Sequence, residues 1–282
     1  MIKVHRVDGK KTISLSKINP TDVQKMRKEE AVMHTTALHT EIAELQALLY
    51  ASGEKSLLIV LQGMDTSGKD GAIRGLSNAL NNTGCVVSSF KVPTEEERGH
   101  DFLWRIHPCA PQLGQISIFN RSHYEDVVVV RVHKIATEKV WRGRYDRICD
   151  FERLLTSNNT IILKFFLHIT KDQQKRRLMA READPTKSWK LSVGDWQERD
   201  LWNDYQVAYE DAINKTSTLE APWTIVPAND KWFRDLVIAQ TVAEALRPFH
   251  KKWLSDLTLR GEAAKKAIAE YRAGKTSKET AS

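Results

Sequence analysis

A glycine-rich segment directly after an apolar run carries residues suited to binding phosphate. The apolar residues 57–61 are followed by Gly-Met-Asp-Thr-Ser-Gly-Lys at residues 63–69, and a helical pattern comes next. Glycines let backbone N–H groups converge on phosphate oxygens, and a helix N-terminus adds its positive dipole end. Lys69 would place a charge on the transferred group. The segment therefore predicts a phosphate-binding loop, with an ordinary glycine-rich turn as the alternative.

Two acidic residues depart from the usual form of this loop. Asp70 follows Lys69, where a serine or threonine commonly offers a hydroxyl to Mg²⁺. Asp65 lies inside the loop, where a carboxylate would repel phosphates unless it held a cation. We interpret Asp65 as a ligand of Mg²⁺, with Mn²⁺ as the alternative ion. The other interpretation is an Asx-type contact that stabilises the loop.

A second polar group follows the apolar residues 116–119. Asn120 stands where an aspartate would end the strand, so its amide could position a metal-bound water but could not neutralise charge. The guanidinium of Arg121 suits bidentate phosphate binding, and a buried structural salt bridge is the alternative. Glu125 and Asp126 would orient the acceptor or its metal, or would cap the next helix. We assign His123 to packing or hydrogen bonding, because a phosphate acceptor has no proton to lose near neutral pH.

These groups can meet only if the strands that precede them lie in one sheet. Five apolar runs alternate with segments of helical pattern, which indicates a five-stranded parallel sheet covered on both faces. The predicted strands are residues 57–61, 86–92, 116–119, 161–169 and 223–226. The predicted fold class is therefore α/β, with three α/β/α layers and a ligand site at the carboxyl ends of the strands.

The helical segments show one long helix and one insertion. Thr21 and Gln24 have the spacing of a capping box, which predicts a helix over residues 21–52. The other predicted helices are residues 69–81, 95–106, 137–155 and 231–253. About 170–200 the chain has basic helical sequence interrupted by Pro185, which predicts a mobile α-helical lid or, alternatively, a solvated charged helical pair.

Composition places the chain among ordinary globular proteins. It has 282 residues, 41% hydrophobic and 28% charged, and three cysteines without a paired spacing. No apolar run approaches the length of a membrane span, so we expect a cytoplasmic protein. We divide it into an N-terminal extension with the long helix (1–54), a core that includes the lid (55–253) and a basic tail (254–282). The tail region, 251–282, contributes +4 of the net charge of +7, so charge in the core must act through specific placement.

Three motifs in order closely resemble the polyphosphate kinase type 2 family. They are Gly-Met-Asp-Thr-Ser-Gly-Lys-Asp-Gly at 63–71, Phe-Asn-Arg-Ser-His-Tyr-Glu-Asp at 119–126 and Arg-Glu-Ala-Asp-Pro-Thr-Lys-Ser-Trp-Lys-Leu-Ser at 181–192. The resemblance covers roughly residues 15–255. It implies a P-loop kinase fold with an α-helical lid, and an enzyme that uses inorganic polyphosphate and Mg²⁺ to phosphorylate nucleotides.

The resemblance also implies roles for individual residues. Asp65, Lys69 and Arg121 would be catalytic, with Asp65 on the metal. Asn120, Glu125 and Asp126 would form the nucleotide acceptor site. The phosphate and polyphosphate site would consist of Gly63, Thr66, Ser67, Gly68, Lys69, Asp70, Arg74, Arg121, Arg177 and Arg181.

We expect polyphosphate and nucleoside mono- or diphosphates as partners, a homo-oligomer, and neither nucleic acid nor membrane. The motif with Asn120 resembles the subgroup that accepts both mono- and diphosphates. Two rivals remain: an ATP-dependent nucleoside or nucleotide kinase of the same fold, and a nucleic-acid-binding P-loop ATPase or binding module suggested only by the basic pI. The first would use ATP as donor, and the second would need a basic surface beyond the crevice.

Overall fold

The computed structural model describes residues 2–190 and 192–279. Within these residues the chain forms a six-stranded sheet with the order β1-β6-β5-β2-β4-β3. The strands are β1 His5–Val7, β2 Ser56–Gln62, β3 Cys85–Ser89, β4 Ile116–Asn120, β5 Thr160–His168 and β6 Trp223–Pro227. Strands β2 to β6 are parallel to one another. The P-loop kinase fold and the five predicted parallel strands are therefore confirmed, with ends shifted by one to three residues.

The strand count of five is wrong, because β1 adds a sixth strand. Strand β1 pairs antiparallel with the outer edge of β6, with His5 opposite Ile225 and Val7 opposite Trp223. Its three residues are too few to show a period, and its central residue, Arg6, is charged. A short, charged strand at this position covers the backbone edge of β6.

Helices cover both faces of the sheet. In chain order they are α1 Lys28–Ser52, α2 Lys69–Ser77, α3 Glu95–Arg98, α4 Glu125–Val132, α5 Glu138–Ser157, α6 Lys171–Glu182, α7 Val193–Asp200, α8 Trp202–Thr216, α9 Lys231–Leu246 and α10 His250–Glu279. Helices α1, α2, α9 and the start of α10 pack together on one face, and α4, α5 and α8 pack together on the other. Strand β2 lies between these layers with all seven residues buried, so the phosphate loop begins in the centre of the core.

Two helix predictions are wrong in extent. Helix α1 begins at Lys28, because Gln24 and Lys25 have positive φ values of 50° and 59°. The side chain of Gln24 pairs with the backbone of Lys3 instead of capping a helix. The predicted helix at 95–106 is reduced to α3, which has a true capping box from Thr94 and ends before Gly99.

The predicted lid is helical and consists of α6, a 3-10 turn at Pro185–Lys190, and α7. Leu191, in the third motif, lies outside the described residues. Residues 280–282, at the end of the basic tail, also lie outside them. None of the helices in the described part of the chain has the length and apolar character needed to cross a bilayer. The division at residues 54 and 253 stays a prediction.

Candidate active site

The loop between β2 and α2 is held open by glycines at its two ends. Gly63 has a φ of 150° and Gly68, the N-cap of α2, has a φ of 104°. A side chain at Gly68 would place Cβ at about 2.4 Å from Nη1 of the buried Arg234. Arg234 donates from Nη1 to the Gly68 carbonyl at 3.0 Å. The backbone of the loop therefore curves tightly, and the guanidinium of Arg234 lies directly behind it. Both features favour the binding of an anion.

The side chain of Lys69 folds back over this loop. Its ammonium donates to the carbonyl oxygens of Gly63 at 2.7 Å and Met64 at 3.3 Å. Burial lowers the pKa of Lys69, and the neighbouring Asp65 opposes that shift. The structure therefore places the partly buried ammonium of Lys69 directly over the loop.

Arg121 lies between two carboxylates at the carboxyl end of β4. Its Nη2 is 2.9 Å from Oδ1 of Asp65 and its Nη1 is 3.3 Å from Oε2 of Glu125. Although burial alone would lower it, Glu125 and Asp65 hold the pKa of Arg121 above its usual range. Burial raises the pKa of Glu125. This contact joins the phosphate loop to the end of β4. The Arg121 side chain is 41% exposed, so the pair is not the buried salt bridge that was the alternative role, and phosphate binding by Arg121 stays a prediction.

The backbone of Arg121 is in the left-handed region, with a φ of 62°. A long side chain rarely adopts this conformation, and strained backbone of this kind concentrates at functional sites. Its N–H donates to the Leu61 carbonyl of β2 at 3.1 Å. In this conformation the guanidinium contacts Asp65 across the crevice between β2 and β4.

Asp70 and Asn120 form a second contact across the same crevice. The Nδ2 of Asn120 donates to Oδ1 of Asp70 at 2.9 Å. This contact gives a physical reason for the acid that stands in place of the usual serine or threonine. It also orients the amide, so that the Asn120 oxygen is the atom left to face a ligand.

Arg177 lies close to the loop, and its terminal nitrogens contact backbone carbonyls. Its two terminal nitrogens donate to the carbonyls of Thr66, Ser67, Ala228 and Asn229 at 2.6–3.0 Å. Burial, with Arg234 nearby, lowers its pKa to about 10. Arg177 therefore ties the loop to the end of β6, and its predicted contact with polyphosphate stays a prediction.

Arg181, the other predicted lid arginine, lies one helical turn after Arg177 on α6. It donates to Asp195 of α7 at 2.7 Å and is partly exposed. Burial raises the pKa of Asp195, with Asp65 as the next cause. The charges of α7 are therefore within electrostatic range of the crevice.

Other predicted residues differ in their surroundings. The hydroxyls of Thr66 and Ser67 are buried and, in the described part of the chain, have no hydrogen-bond partner. Arg74 is exposed on α2. Asp126 faces Arg144 at 3.3 Å and Arg105 at 3.8 Å.

Asp126 and Glu125 therefore belong to different environments, although they are adjacent in sequence. Burial raises the pKa of Asp126 to about 6. His123 is buried, and burial lowers its pKa, as befits the packing role predicted for it.

The donor set fits a Mg²⁺ ion that arrives with phosphate. Asp65 uses Oδ1 for Arg121, while its Oδ2 has no hydrogen-bond partner among residues 2–190 and 192–279. In those same residues, no three His, Cys, Asp or Glu side chains are grouped to hold a metal by themselves. Because Mg²⁺ commonly takes one or two carboxylates together with substrate phosphates and water, one free carboxylate oxygen is sufficient.

Sequence reasoning missed three residues that shape the loop. Arg234 supports Gly68 from α9, Gln174 of α6 donates to the Asp65 carbonyl at 3.2 Å, and the Tyr209 hydroxyl of α8 lies 3.3 Å from the Gly63 carbonyl. They come from elements far apart in the chain and carry no motif. Gln174 lies in the predicted lid and Arg234 in the predicted helix at 231–253, but nothing in the sequence indicated that any of the three contacts the loop.

Comparison with known proteins agrees with this geometry. The parallel sheet and the glycine loop at its central strand place the chain in the class of P-loop kinase folds. Residues 25–253 match the family described as Polyphosphate kinase 2. The chain belongs to the polyphosphate kinase 2 family, as the three motifs predicted.

Individual relatives share most of their length with this chain. It is 45% identical to an AMP/ADP-polyphosphate phosphotransferase of Meiothermus ruber over 87% of this chain and 92% of that protein. It is 41% identical to an ADP-polyphosphate phosphotransferase of Rhodopseudomonas palustris, over 86% and 89%. The crystal structure of polyphosphate kinase 2 from Arthrobacter aurescens has a TM-score of 0.82 and 43% identity, and the match covers 84% of this chain and 86% of that one.

Proposed function

We propose that this protein transfers the terminal phosphoryl group of inorganic polyphosphate to a nucleoside mono- or diphosphate. The observation that carries the proposal is the position of Arg121, held by Asp65 and Glu125 beside the phosphate loop and Lys69. Relatives named for polyphosphate transfer to AMP and ADP support the same donor and acceptors. A donor made only of phosphates needs several cations and no base-binding pocket.

The residues of the crevice act by positioning and charge. Lys69 and Arg121 neutralise the charge that develops on the transferred group, and the loop N–H groups hold the remaining phosphate oxygens. The acceptor oxygen is already anionic near neutral pH, so no side chain has to remove a proton. Transfer is in line and forms no covalent enzyme intermediate. Closure of α6 and α7 excludes water, which would otherwise compete as acceptor.

Asp65 would hold Mg²⁺, or Mn²⁺, through Oδ2. When bound, the ion would supply positive charge that stabilises the phosphate groups. Displacement of Arg121 Nη2 from Oδ1 would free that guanidinium for phosphate. Asn120, hydrogen-bonded to Asp70 on the same side of the crevice, would face the acceptor or a water bound to the ion.

The acceptor range is narrower in one relative than in another, since one is named for AMP and ADP and the other for ADP alone. We infer that this chain accepts both, because Asn120 lacks the negative charge that an aspartate would add near the acceptor phosphates. We also propose a cytoplasmic location, in keeping with three cysteines that are unpaired in the structure. Self-association remains a prediction.

A direct test supplies each acceptor with each donor. ADP or AMP is mixed with Mg²⁺ and polyphosphate, and ATP or ADP is followed by chromatography. Parallel reactions replace polyphosphate by ATP and the nucleotide by a nucleoside. We expect product from polyphosphate with both nucleotides. Product from ATP and a nucleoside, with none from polyphosphate and any nucleotide, would instead identify the ATP-dependent kinase.

A further inference from the structure

A buried polar cluster lies behind the strand end that carries Arg121. It consists of Tyr124, Glu152 of α5, Lys164 of β5 and Thr216 of α8, and we refer to these four residues as the buried network. All four are at most 2% exposed. The Lys164 ammonium is 2.6 Å from Oε2 of Glu152, and the Tyr124 hydroxyl is 2.7 Å from the other oxygen, Oε1.

Every hydrogen of the Lys164 ammonium has a partner. Its three donors reach Glu152, the Tyr124 hydroxyl at 3.0 Å and the Thr216 carbonyl at 2.8 Å. The Tyr124 hydroxyl also lies 3.0 Å from Oγ1 of Thr216. Burial raises the pKa of Tyr124 well above its usual value, so the hydroxyl remains a donor to Glu152. The Lys164 ammonium and the Tyr124 hydroxyl therefore both have their partners inside the network. His123 lies beside it, with Nε2 3.6 Å from Oε1 of Glu152.

A buried ion pair is a weak source of stability, because desolvation offsets its attraction. Apolar side chains of similar volume could fill the same space. Trp223 packs beside Tyr124 with ring centroids 4.7 Å apart, and its indole N–H donates to Oγ1 of Thr216 at 3.0 Å. What apolar residues cannot do is fix the Tyr124 hydroxyl, and with it the backbone of the loop, at one point. The network is therefore better suited to fixing the position of Tyr124 than to adding stability.

The loop fixed in this way is the one that holds Arg121 in its strained conformation. Ser122 accepts from Nε2 of Gln62 at 3.1 Å and from the Tyr124 N–H at 3.2 Å. Residues 121–125 are consequently anchored at Ser122 and at Tyr124. Arg121 and Glu125, which contact each other, lie at the two ends of this anchored segment.

The network also reaches the element that follows the lid. Thr216 is the last residue of α8, and α8 begins directly after α7. The same helix places the Tyr209 hydroxyl 3.3 Å from the Gly63 carbonyl of the phosphate loop. The middle of α8 therefore contacts the phosphate loop. The end of α8 contacts Tyr124, in the loop that carries Arg121.

We propose that Tyr124 is a positioning residue for Arg121, and that Glu152, Lys164 and Thr216 hold it in place. The inference rests on the proposed function, in which Arg121 contacts the transferred group. Tyr124 itself touches no substrate, so its effect must pass through Arg121.

The test is a double-mutant cycle on polyphosphate-dependent ATP formation from ADP. We expect Tyr124→Phe to lower kcat about tenfold or more, with KM for ADP changed less than about twofold. In an Arg121→Ala background the same substitution should lower kcat less than about twofold. Tyr145→Phe is the matched control, since Tyr145 is a buried tyrosine of α5 outside the network, and it should leave kcat unchanged.

Equal kcat losses from Tyr124→Phe in both backgrounds, or no loss in the wild-type background, would overturn the proposal. Thermal melts by circular dichroism establish that each variant is folded. If Tyr124→Phe is unfolded, Thr216→Val takes its place, because it removes a neutral partner of Tyr124 and leaves the Lys164–Glu152 pair intact.

An activity-free measurement separates this inference from the proposed function. The ¹⁵Nε signal of Arg121, assigned by its loss in Arg121→Ala, should be sharp in the wild type and broadened in Tyr124→Phe. An unchanged signal contradicts the positioning role even in an active enzyme. One further outcome is a wild type that forms no product from polyphosphate while the Arg121 signal is still broadened in Tyr124→Phe. That combination of results would contradict the proposed function but not the positioning role of Tyr124.

Discussion

Asp126 and Glu125 are adjacent in the chain yet are stabilised by different arginines. Glu125 contacts Arg121 in the crevice, whereas Asp126 is paired with Arg144 and Arg105. Helix geometry separates neighbouring side chains by about 100°, so adjacent residues at a helix start face different surroundings. Of the two residues, Glu125 lies in the crevice beside Arg121, and the acceptor role of both stays a prediction.

The pH dependence of stability offers a test at Asp126. Its pKa is raised to about 6 from 3.8, so between these values the folded chain binds a proton that the unfolded chain has released. The contribution of Asp126 to the free energy of unfolding is therefore full at low pH and falls as pH rises toward 7. We expect the free energy of unfolding of the wild type, minus that of Asp126→Asn, to fall by up to about 3 kcal/mol over that range. Urea melts at a series of pH values measure it, and a flat or rising difference would contradict the assignment.

At the scale of elements, the phosphate loop is supported from β4, β6, α6, α8 and α9 together. Arg177 of α6 spans the loop and the end of β6 through four carbonyl contacts. Arg181, one helical turn later, instead joins α6 to α7. The two arginines have the same predicted role and lie on the same helix, but their contacts differ. Arg177 contacts the phosphate loop and the end of β6, whereas Arg181 contacts α7.

Alanine substitutions should separate these settings. Arg177→Ala leaves carbonyls of the loop without their buried donor, so we expect a melting temperature lowered by several degrees and a lower kcat. Arg181→Ala removes a partly exposed contact, so we expect a melting temperature within about 2 °C of wild type and a raised KM for polyphosphate. Scanning calorimetry and polyphosphate titrations measure the two effects.

Arg177→Lys serves as the matched variant, because it keeps the charge but cannot reach four carbonyls. It should resemble Arg177→Ala in stability. If Arg177→Ala instead raised only KM for polyphosphate, with an unchanged melting temperature, the carbonyl contacts would not be the main role of this arginine.

At the scale of the whole molecule, the two ends of the chain differ in how they join the core. At the N-terminal end, β1 extends the sheet, Leu15 is buried and α1 packs on α9. At the other end Trp253 is fully buried, whereas the residues of α10 from 258 to 272 are exposed. The charged side chains of residues 258–272 therefore lie outside the body of the fold.

Deletion of residues 258–282 tests this division. Because Trp253 and the Lys252–Asp256 contact remain, we expect a melting temperature within about 2 °C of the full chain and an unchanged kcat. Deletion of residues 2–8 is the comparison, and it should lower the melting temperature clearly, since it uncovers the edge of β6. Light scattering on both variants shows whether either end mediates self-association. A tail deletion that unfolds the protein would contradict the division.

Local sequence predicted the parts of this structure that depend on local pattern. The five parallel strands followed from apolar runs, and the phosphate loop and Arg121 followed from residue types just after strands. The contacts of Arg177 and Arg234 could not be predicted, because they depend on how α6 and α9 approach the loop from distant parts of the chain. Strand β1 was too short to show a hydrophobic period. The side chain of Gln24 donates to the backbone of Lys3, a contact that the sequence around Gln24 does not predict.

The central claim is that phosphoryl transfer from polyphosphate occurs at Asp65, Lys69 and Arg121. The most direct measurement is kcat for ATP formation from ADP, polyphosphate and Mg²⁺ in the wild type, Lys69→Ala and Asp65→Asn, with Lys265→Ala on the exposed tail as control. The account predicts an active wild type and control, and a loss of about a hundredfold or more in each site variant. Near-normal ATP formation by Lys69→Ala or Asp65→Asn would contradict it.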